Sequence, residues 1–115
     1  MHEFGIACSV LEAARAEVRL HPAMKLTKIV IRVGALAGVD PDALSFCFQA
    51  LVKETEWEPV ALEIERRAQR NGCPRCGGEF EVVNYNTACP ACGESMTTFS
   101  SGNELELAYL ELEEP

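Results

Sequence analysis

Apolar residues recur at three- and four-residue steps from the start of the chain: Phe4, Ala7, Leu11, Ala14 and Val18, with Ile6, Cys8 and Val10 widening the stripe. Glu12, Arg15, Glu17 and Arg19 take the other side, so the period predicts an amphipathic helix of about four turns. It should end near His21-Pro22, because proline disfavours a helical conformation in its predecessor. From Leu26 to Val33 the period changes to two, with Ile29, Ile31 and Val33 on one face and Lys28 and Arg32 on the other, which predicts a strand. Gly34 and Gly38 punctuate a turn. Asp40-Pro41-Asp42 then starts a helix, with aspartate at the N-cap and proline at the first helical position. Its stripe is Leu44, Phe48, Leu51 and Val52, ending about Lys53, with Trp57 and Pro59 in the following loop. Val60, Leu62 and Ile64 alternate with Ala61, Glu63 and Glu65 as a second strand. Leu105, Leu107 and Tyr109 alternate with Glu104, Glu106 and Ala108 as a last one. The phase slips at Leu110 and Leu112, as at a bulge or a strand end.

Between the last two strands stand two short cysteine knuckles, Cys73-Pro-Arg-Cys76-Gly and Cys89-Pro-Ala-Cys92-Gly. Four thiolates at this spacing suit one tetrahedral metal, with zinc the expected ion. The proline stiffens each turn, and the glycine after it can take the positive φ that aims backbone N–H groups at sulfur. A closed four-cysteine site leaves no open position, so its zinc would be structural and not catalytic. A rubredoxin-like one-electron iron centre is the competing occupant, though such a centre would need little of residues 1–65. The fold expected is α+β: about three strands and two helices, with a zinc-ribbon-like appendage inserted before the last strand. Residues 1–68 and 102–115 form an α/β domain, and residues 69–101 a zinc-binding domain. The strands at 60–66 and 104–112 could pair antiparallel, and linkers near 67–72 and 97–103 would let the two parts hinge.

Composition narrows the function. Among 115 residues the formal charge is −8, and residues 73–115 carry eight acids against Arg75 alone. Such a surface repels nucleic acid, whose binding rests on lysine and arginine contacts to phosphate, and suits protein partners or cations. No apolar run is long enough for a membrane span and no leader is evident, so a cytoplasmic protein is expected. In that compartment thiols stay reduced and the knuckles read as metal-binding. Cys8 and Cys47 fall in apolar helical patterns and read as buried small hydrophobes. Arg66, Arg67 and Arg70 either offset the negative charge of a zinc tetrathiolate or form a solvated strand end.

The extreme N-terminus offers a second chemistry. His2 can chelate through its imidazole and its own amide nitrogen, the Met1 amine closes a further ring, and Glu3 adds an amide and a carboxylate. Nitrogen-rich sets of this kind suit Ni²⁺ or Cu²⁺ better than zinc; a solvated histidine is the plainer reading of the residues alone. Bulky His2 should preserve Met1. Nothing resembles a catalytic constellation: Cys8 and Cys47 lack a nearby histidine, His21 reads as solvated, and the paired glutamates sit on exposed strand faces.

Together these pieces resemble the HypA/HybF family, nickel metallochaperones for maturation of [NiFe]-hydrogenase and, in some organisms, urease. The resemblance rests on Met1-His2-Glu3, on residues 33–41 (Val-Gly-Ala-Leu-Ala-Gly-Val-Asp-Pro) with Leu44 and Phe46, and on Leu62-Glu-Ile-Glu65. The two knuckles and Ser101-Gly-Asn-Glu-Leu105 complete it in the family's order. It implies labile nickel cargo at Met1, His2 and Glu3 and structural zinc at Cys73, Cys76, Cys89 and Cys92. It also implies delivery to the hydrogenase large-subunit precursor with the GTPase HypB as partner, and urease maturation proteins where urease is served. Some members complete the nickel sphere with a histidine near the zinc domain. Here the histidines are His2 and His21, which leaves water, another chain or His21 for the remaining positions. The alternative is a zinc-ribbon protein-interaction adaptor without labile metal.

Overall fold

Strand β1 (Lys25–Gly34) has its apolar residues so densely placed that both of its faces are covered: Ile29, Val30, Ile31 and Val33 are all buried. A strand of that kind belongs at the centre of a sheet. The computed structural model, which describes residues 3–115, places it there, between β2 (Ala61–Arg67) and β6 (Leu105–Glu113). β1 and β2 run parallel, with Ile29 opposite Leu62 and Ile31 opposite Ile64. Parallel neighbours need a crossover, and α2 (Pro41–Val52) supplies it. β6 returns antiparallel along the other side of β1. The expected antiparallel pairing of the second and last strands is therefore corrected: they lie at opposite edges. Their alternate glutamates explain it, since a strand with one charged face is tolerated at an edge, while β1 is not.

The phase slip in β6 is a bulge. Val30 pairs with Tyr109 and Ile31 with Leu107, which leaves Ala108 as the extra residue. Beyond it the alternation inverts, so Leu105, Leu107, Leu110 and Leu112 all pack toward the core. Tyr109, expected on that face, is instead exposed opposite Val30. The face of the sheet that bears Tyr109 is roofed by charge. Lys28 bridges to Glu63 and Glu111, and Arg32 to Glu65 and Glu106, one carboxylate on each flanking strand. Val30, between Lys28 and Arg32 along the strand, is fully buried.

Helix α1 (Glu3–Val18) buries Ala7, Leu11 and Ala14, while Phe4, expected in the stripe, faces solvent. The helix stops at Val18, a few residues before His21-Pro22; turn hydrogen bonds from Leu20 and His21 close it. Asp40 caps α2 as expected, its carboxylate accepting from the amides of Asp42 and Ala43. Leu44, Phe48 and Val52 complete the core. Cys47 packs against the core from its margin, and neither Cys8 nor Cys47 is fully buried. The Arg15 guanidinium lies 5.7 Å from the Trp57 ring centroid, tying the loop after α2 to α1.

The knuckles ride on a second small sheet of order β4-β3-β5: β3 (Arg70–Gly72) between β4 (Glu79–Glu81) and β5 (Thr98–Ser101). A compact chain of this length has a radius of gyration of about 13 Å; here it is 18.0 Å, with a long axis of 54 Å. The two sheets therefore do not share one core. Only residues 68–69 and 102–104 join them, shorter linkers than expected, because β3 and β5 absorb the rest.

Those short linkers cross the end of β1 in direct backbone contact. The Gly34 amide donates to the Glu104 carbonyl at 2.7 Å, Ala35 to Arg67 at 2.8 Å, and Leu36 to Gly102 at 2.8 Å. A Cβ on Gly34 would stand 2.1 Å from the Gly102 carbonyl oxygen, and one on Gly102 2.6 Å from the Gln69 Cα. Gly102 also holds φ +126°, which side-chain-bearing residues rarely adopt. Asn71, the one buried polar residue among those described, continues the junction into the small sheet. It accepts from Gln69 Nε2 at 3.2 Å and donates to Thr97 Oγ1 at 3.1 Å, and Thr97 in turn donates to the Thr87 carbonyl.

Candidate metal centre

Each knuckle is the same local structure built twice. The Gly77 amide donates to the Cys73 carbonyl at 2.9 Å and the Cys73 amide to Gly78 at 2.8 Å. Gly93 with Cys89 and Cys89 with Glu94 repeat this at 2.8 Å. Gly77 and Gly93 have φ of +78° and +80°, the conformation their position calls for. The tight turns bring both cysteines of each pair to one point. In each pair the first is buried and the second faces solvent.

The four sulfurs lie within 4.8 Å of one another. Cys73 Sγ is 3.5 Å from Cys92 Sγ, and Cys76 Sγ is 3.7 Å from Cys89 Sγ, both contacts between the two knuckles. A tetrahedron with Zn–S bonds of about 2.3 Å has edges of about 3.8 Å. The cluster matches that edge and is far from the ~2.05 Å of a disulfide. It fits a structural zinc.

Crowding the thiols drives the acidities of Cys89 and Cys92 apart. The Cys92 and Ala91 amides and the neighbouring thiols pull the Cys89 thiol down to about 7. Cys92 receives an opposing pull from the Glu94 amide, but the thiols of Cys73, Cys89 and Cys76 together with burial outweigh it and push it up to about 12. The Cys89 thiolate forms readily, and Cys92 then resists ionisation until a cation arrives. Of the arginines before the knuckles, Arg67 pairs with Glu65 at 3.0 Å and Arg70 with Glu79 at 2.9 Å.

Of the three N-terminal positions, Met1 and His2 lie outside the described residues. Glu3 opens α1, and its carboxylate accepts the Asp40 amide at 3.2 Å. That hydrogen bond, foremost, holds the Glu3 carboxyl below its ordinary range. Asp40, legible in the sequence only as a helix cap, thus also sits beside the start of α1. No periodicity shows this, because the contact spans 37 residues. His21 lines a shallow cleft with Glu17, Leu110 and Leu112, beyond the C-terminal end of α1. It stands at the end of that helix opposite Glu3. Among the described residues, the four cysteines are the only cluster of three or more potential metal ligands. Among the described residues no helix is long and apolar enough to cross a membrane.

The family model described as "Hydrogenase/urease nickel incorporation, metallochaperone, hypA" matches residues 1–112. The hydrogenase maturation factor HypA of Chlorobaculum tepidum is 40% identical over 113 residues, covering 98% of this chain and 100% of its own. That of Geobacter metallireducens is 39% identical with the same coverage. The solution structure of the Ni metallochaperone HypA from Helicobacter pylori superposes with a TM-score of 0.64 at 21% identity, all of both chains covered. A further HypA solution structure gives 0.68 at 22% identity over 97% of this chain and 96% of that one. The two sheets, the knuckles on the smaller one and the near-complete match to this one model lead to a single assignment: the chain belongs to the HypA family of hydrogenase and urease nickel-incorporation metallochaperones.

Proposed function

We propose that this protein is a nickel metallochaperone that binds Ni²⁺ at its N-terminus and delivers it during [NiFe]-hydrogenase maturation. The observation that carries the reading is the family match, which begins at residue 1 and so includes Met1, His2 and Glu3. Those three positions supply the nickel donors: the Met1 amine, the His2 ring and amide, and Glu3. Cys73, Cys76, Cys89 and Cys92 hold a structural zinc, which contributes folding energy and performs no chemistry on substrate. Residues 1–68 and 102–115 act as the nickel domain, and residues 69–101 as the zinc domain. The protein is not an enzyme. Its partners are the maturation GTPase HypB and the hydrogenase large-subunit precursor, with urease maturation proteins where the family serves urease, all in the cytoplasm.

The test is metal analysis and nickel titration of the chain with its native N-terminus. About one labile Ni²⁺ per chain is expected beside one zinc, with nickel affinity falling on acidification as the amine and imidazole protonate. His2→Ala, or one residue added before Met1, should abolish nickel binding and leave the zinc in place. Equal nickel binding by native and extended chains would refute the terminal site and leave a zinc-binding adaptor. A visible absorption band with reversible reduction would indicate iron in the knuckles.

A further inference from the structure

A cleft of about 470 Å³ opens where the inserted segment leaves and rejoins the larger sheet. Its walls include Arg32, Arg66, Arg67, Arg70, Ser101 and Glu104. Four of the ten basic residues in a chain of charge −8 thus face one small space. Arg32 spends Nε and Nη1 on Glu65 and Glu106, Arg67 spends Nη2 on Glu65, and Arg70 spends Nε on Glu79. A guanidinium has five N–H donors, so Arg67 and Arg70 each keep a free edge. Arg66 has no ion-pair partner among the described residues.

Glu104 presents the opposite condition. Its Oε1 is closed off from solvent and receives no hydrogen bond, an arrangement that is costly for a carboxylate unless a donor is supplied. The formal charges of the four arginines are matched by Glu104 and by Glu65, Glu79 and Glu106. The cleft is therefore no trap for anions in general. It offers an array of arginine donors beside one acceptor that lacks a donor.

We propose that this cleft binds a hydrogen-phosphate group. Arg66, Arg67 and Arg70 donate to its unprotonated oxygens, and Glu104, which lines the cleft, rotates to present its carboxylate and accept the P–OH. Planar guanidinium forks suit phosphate. The carboxylate makes the site selective, because phosphate near neutral pH retains a proton to donate and sulfate does not. The cleft's volume leaves room for a carrier, so the group can be free phosphate or a phosphate monoester.

The test titrates phosphate and, separately, sulfate into the isotope-labelled, zinc-loaded full chain at constant ionic strength, following backbone amides by NMR. Phosphate should shift the amides of residues 66–70 and 101–104 saturably, with sulfate at least about tenfold weaker, the scale of one charge-assisted hydrogen bond. Glu104→Gln should bring the two anions within about threefold of each other by strengthening sulfate. Arg66→Gln, at an exposed position, should weaken phosphate about fivefold or more without changing the melting temperature. Methyl phosphate, near pH 6 where it keeps much of its second proton, separates the sources. Parity with phosphate assigns the site to a carried group, and weak binding beside retained phosphate binding assigns it to the free anion. Absence of saturable phosphate shifts, or equal binding of phosphate and sulfate by the unaltered chain, overturns the proposal.

Discussion

Gly34→Ala should do more damage than any other single-methyl change at the described glycines, and the size of the effect can be worked from the junction. The new Cβ would lie 2.1 Å from the Gly102 oxygen, 2.3 Å from its carbonyl carbon and 2.7 Å from the Asn103 nitrogen. All three are backbone atoms, so no side chain can rotate away. Reaching ordinary contact at about 3.4 Å requires the strands to part by more than about 1 Å. That shift breaks the bonds from Leu36 to Gly102 and from Gly34 to Glu104. Each broken bond costs about 1 kcal/mol net, and more where the stranded groups stay dry. Overpacking adds about 1–3 kcal/mol. The sum is about 3–5 kcal/mol, and at about 4 °C per kcal/mol for a chain of this size the melting temperature falls by about 12 °C or more.

The measurement is thermal unfolding followed by circular dichroism at fixed zinc, with zinc content determined before heating. Zinc should remain bound, since the knuckles are untouched. Gly5→Ala is the matched control: nothing lies within 4 Å of its added methyl, and in α1 the change should stabilise by up to about 1 kcal/mol. A Gly34→Ala protein melting within about 2 °C of the parent would refute the backbone crossing as described.

Asn71→Ala should cost about 2–3 kcal/mol, because Gln69 and Thr97 each lose a buried partner. Hydrogen exchange should speed up in β3 and β5 and stay unchanged in β1. Tyr85 sits fully exposed in a tight turn with Asn84, at φ of 62° and 53°, a type I′ geometry that favours glycine at the second position. Tyr85→Gly should therefore stabilise by about 1 kcal/mol in urea unfolding, and any loss of stability would assign the ring a packing role. The acidity of Cys89 predicts a pH effect on zinc uptake. Its thiol, lowered to about 7, is already ionised at pH 8 and protonated at pH 6. Protons released per zinc should rise by close to one between pH 8 and pH 6, read by calorimetry in buffers of different ionisation enthalpy. The same lowered value means that in the metal-free protein the Cys89 thiolate contributes stability above the thiol's unfolded pKa, which is lost as pH falls through 7. A release independent of pH would refute the assignment.

Periodicity and turn chemistry made most of the fold legible, and the places where they failed share a cause. Both helices, the central strand and the Asp40 cap follow from local pattern, since each is decided by neighbours three or four residues away. The knuckles were legible for the same reason: one C-x-x-C with its glycine already determines the turn. Ala108 shows the first limit. Leu110 and Leu112 announced a slip, but only pairing with β1 shows that the extra residue returns both leucines to the core and expels Tyr109.

Phe4 shows the second limit: it has helical phase, yet no neighbouring element covers it. The deepest limit is the junction. Gly34 reads as ordinary turn punctuation, and the serine and asparagine around Gly102 read as ordinary loop, because a sequence shows what a side chain could do and not where its absence is required. Two glycines 68 residues apart meet because backbone must pass against backbone there. The contact between Glu3 and Asp40 was hidden in the same way. Where distant segments must meet, as at α1's first residue and at the root of the knuckle-bearing sheet, the pattern supplies the candidates, and only the three-dimensional arrangement shows which of them meet.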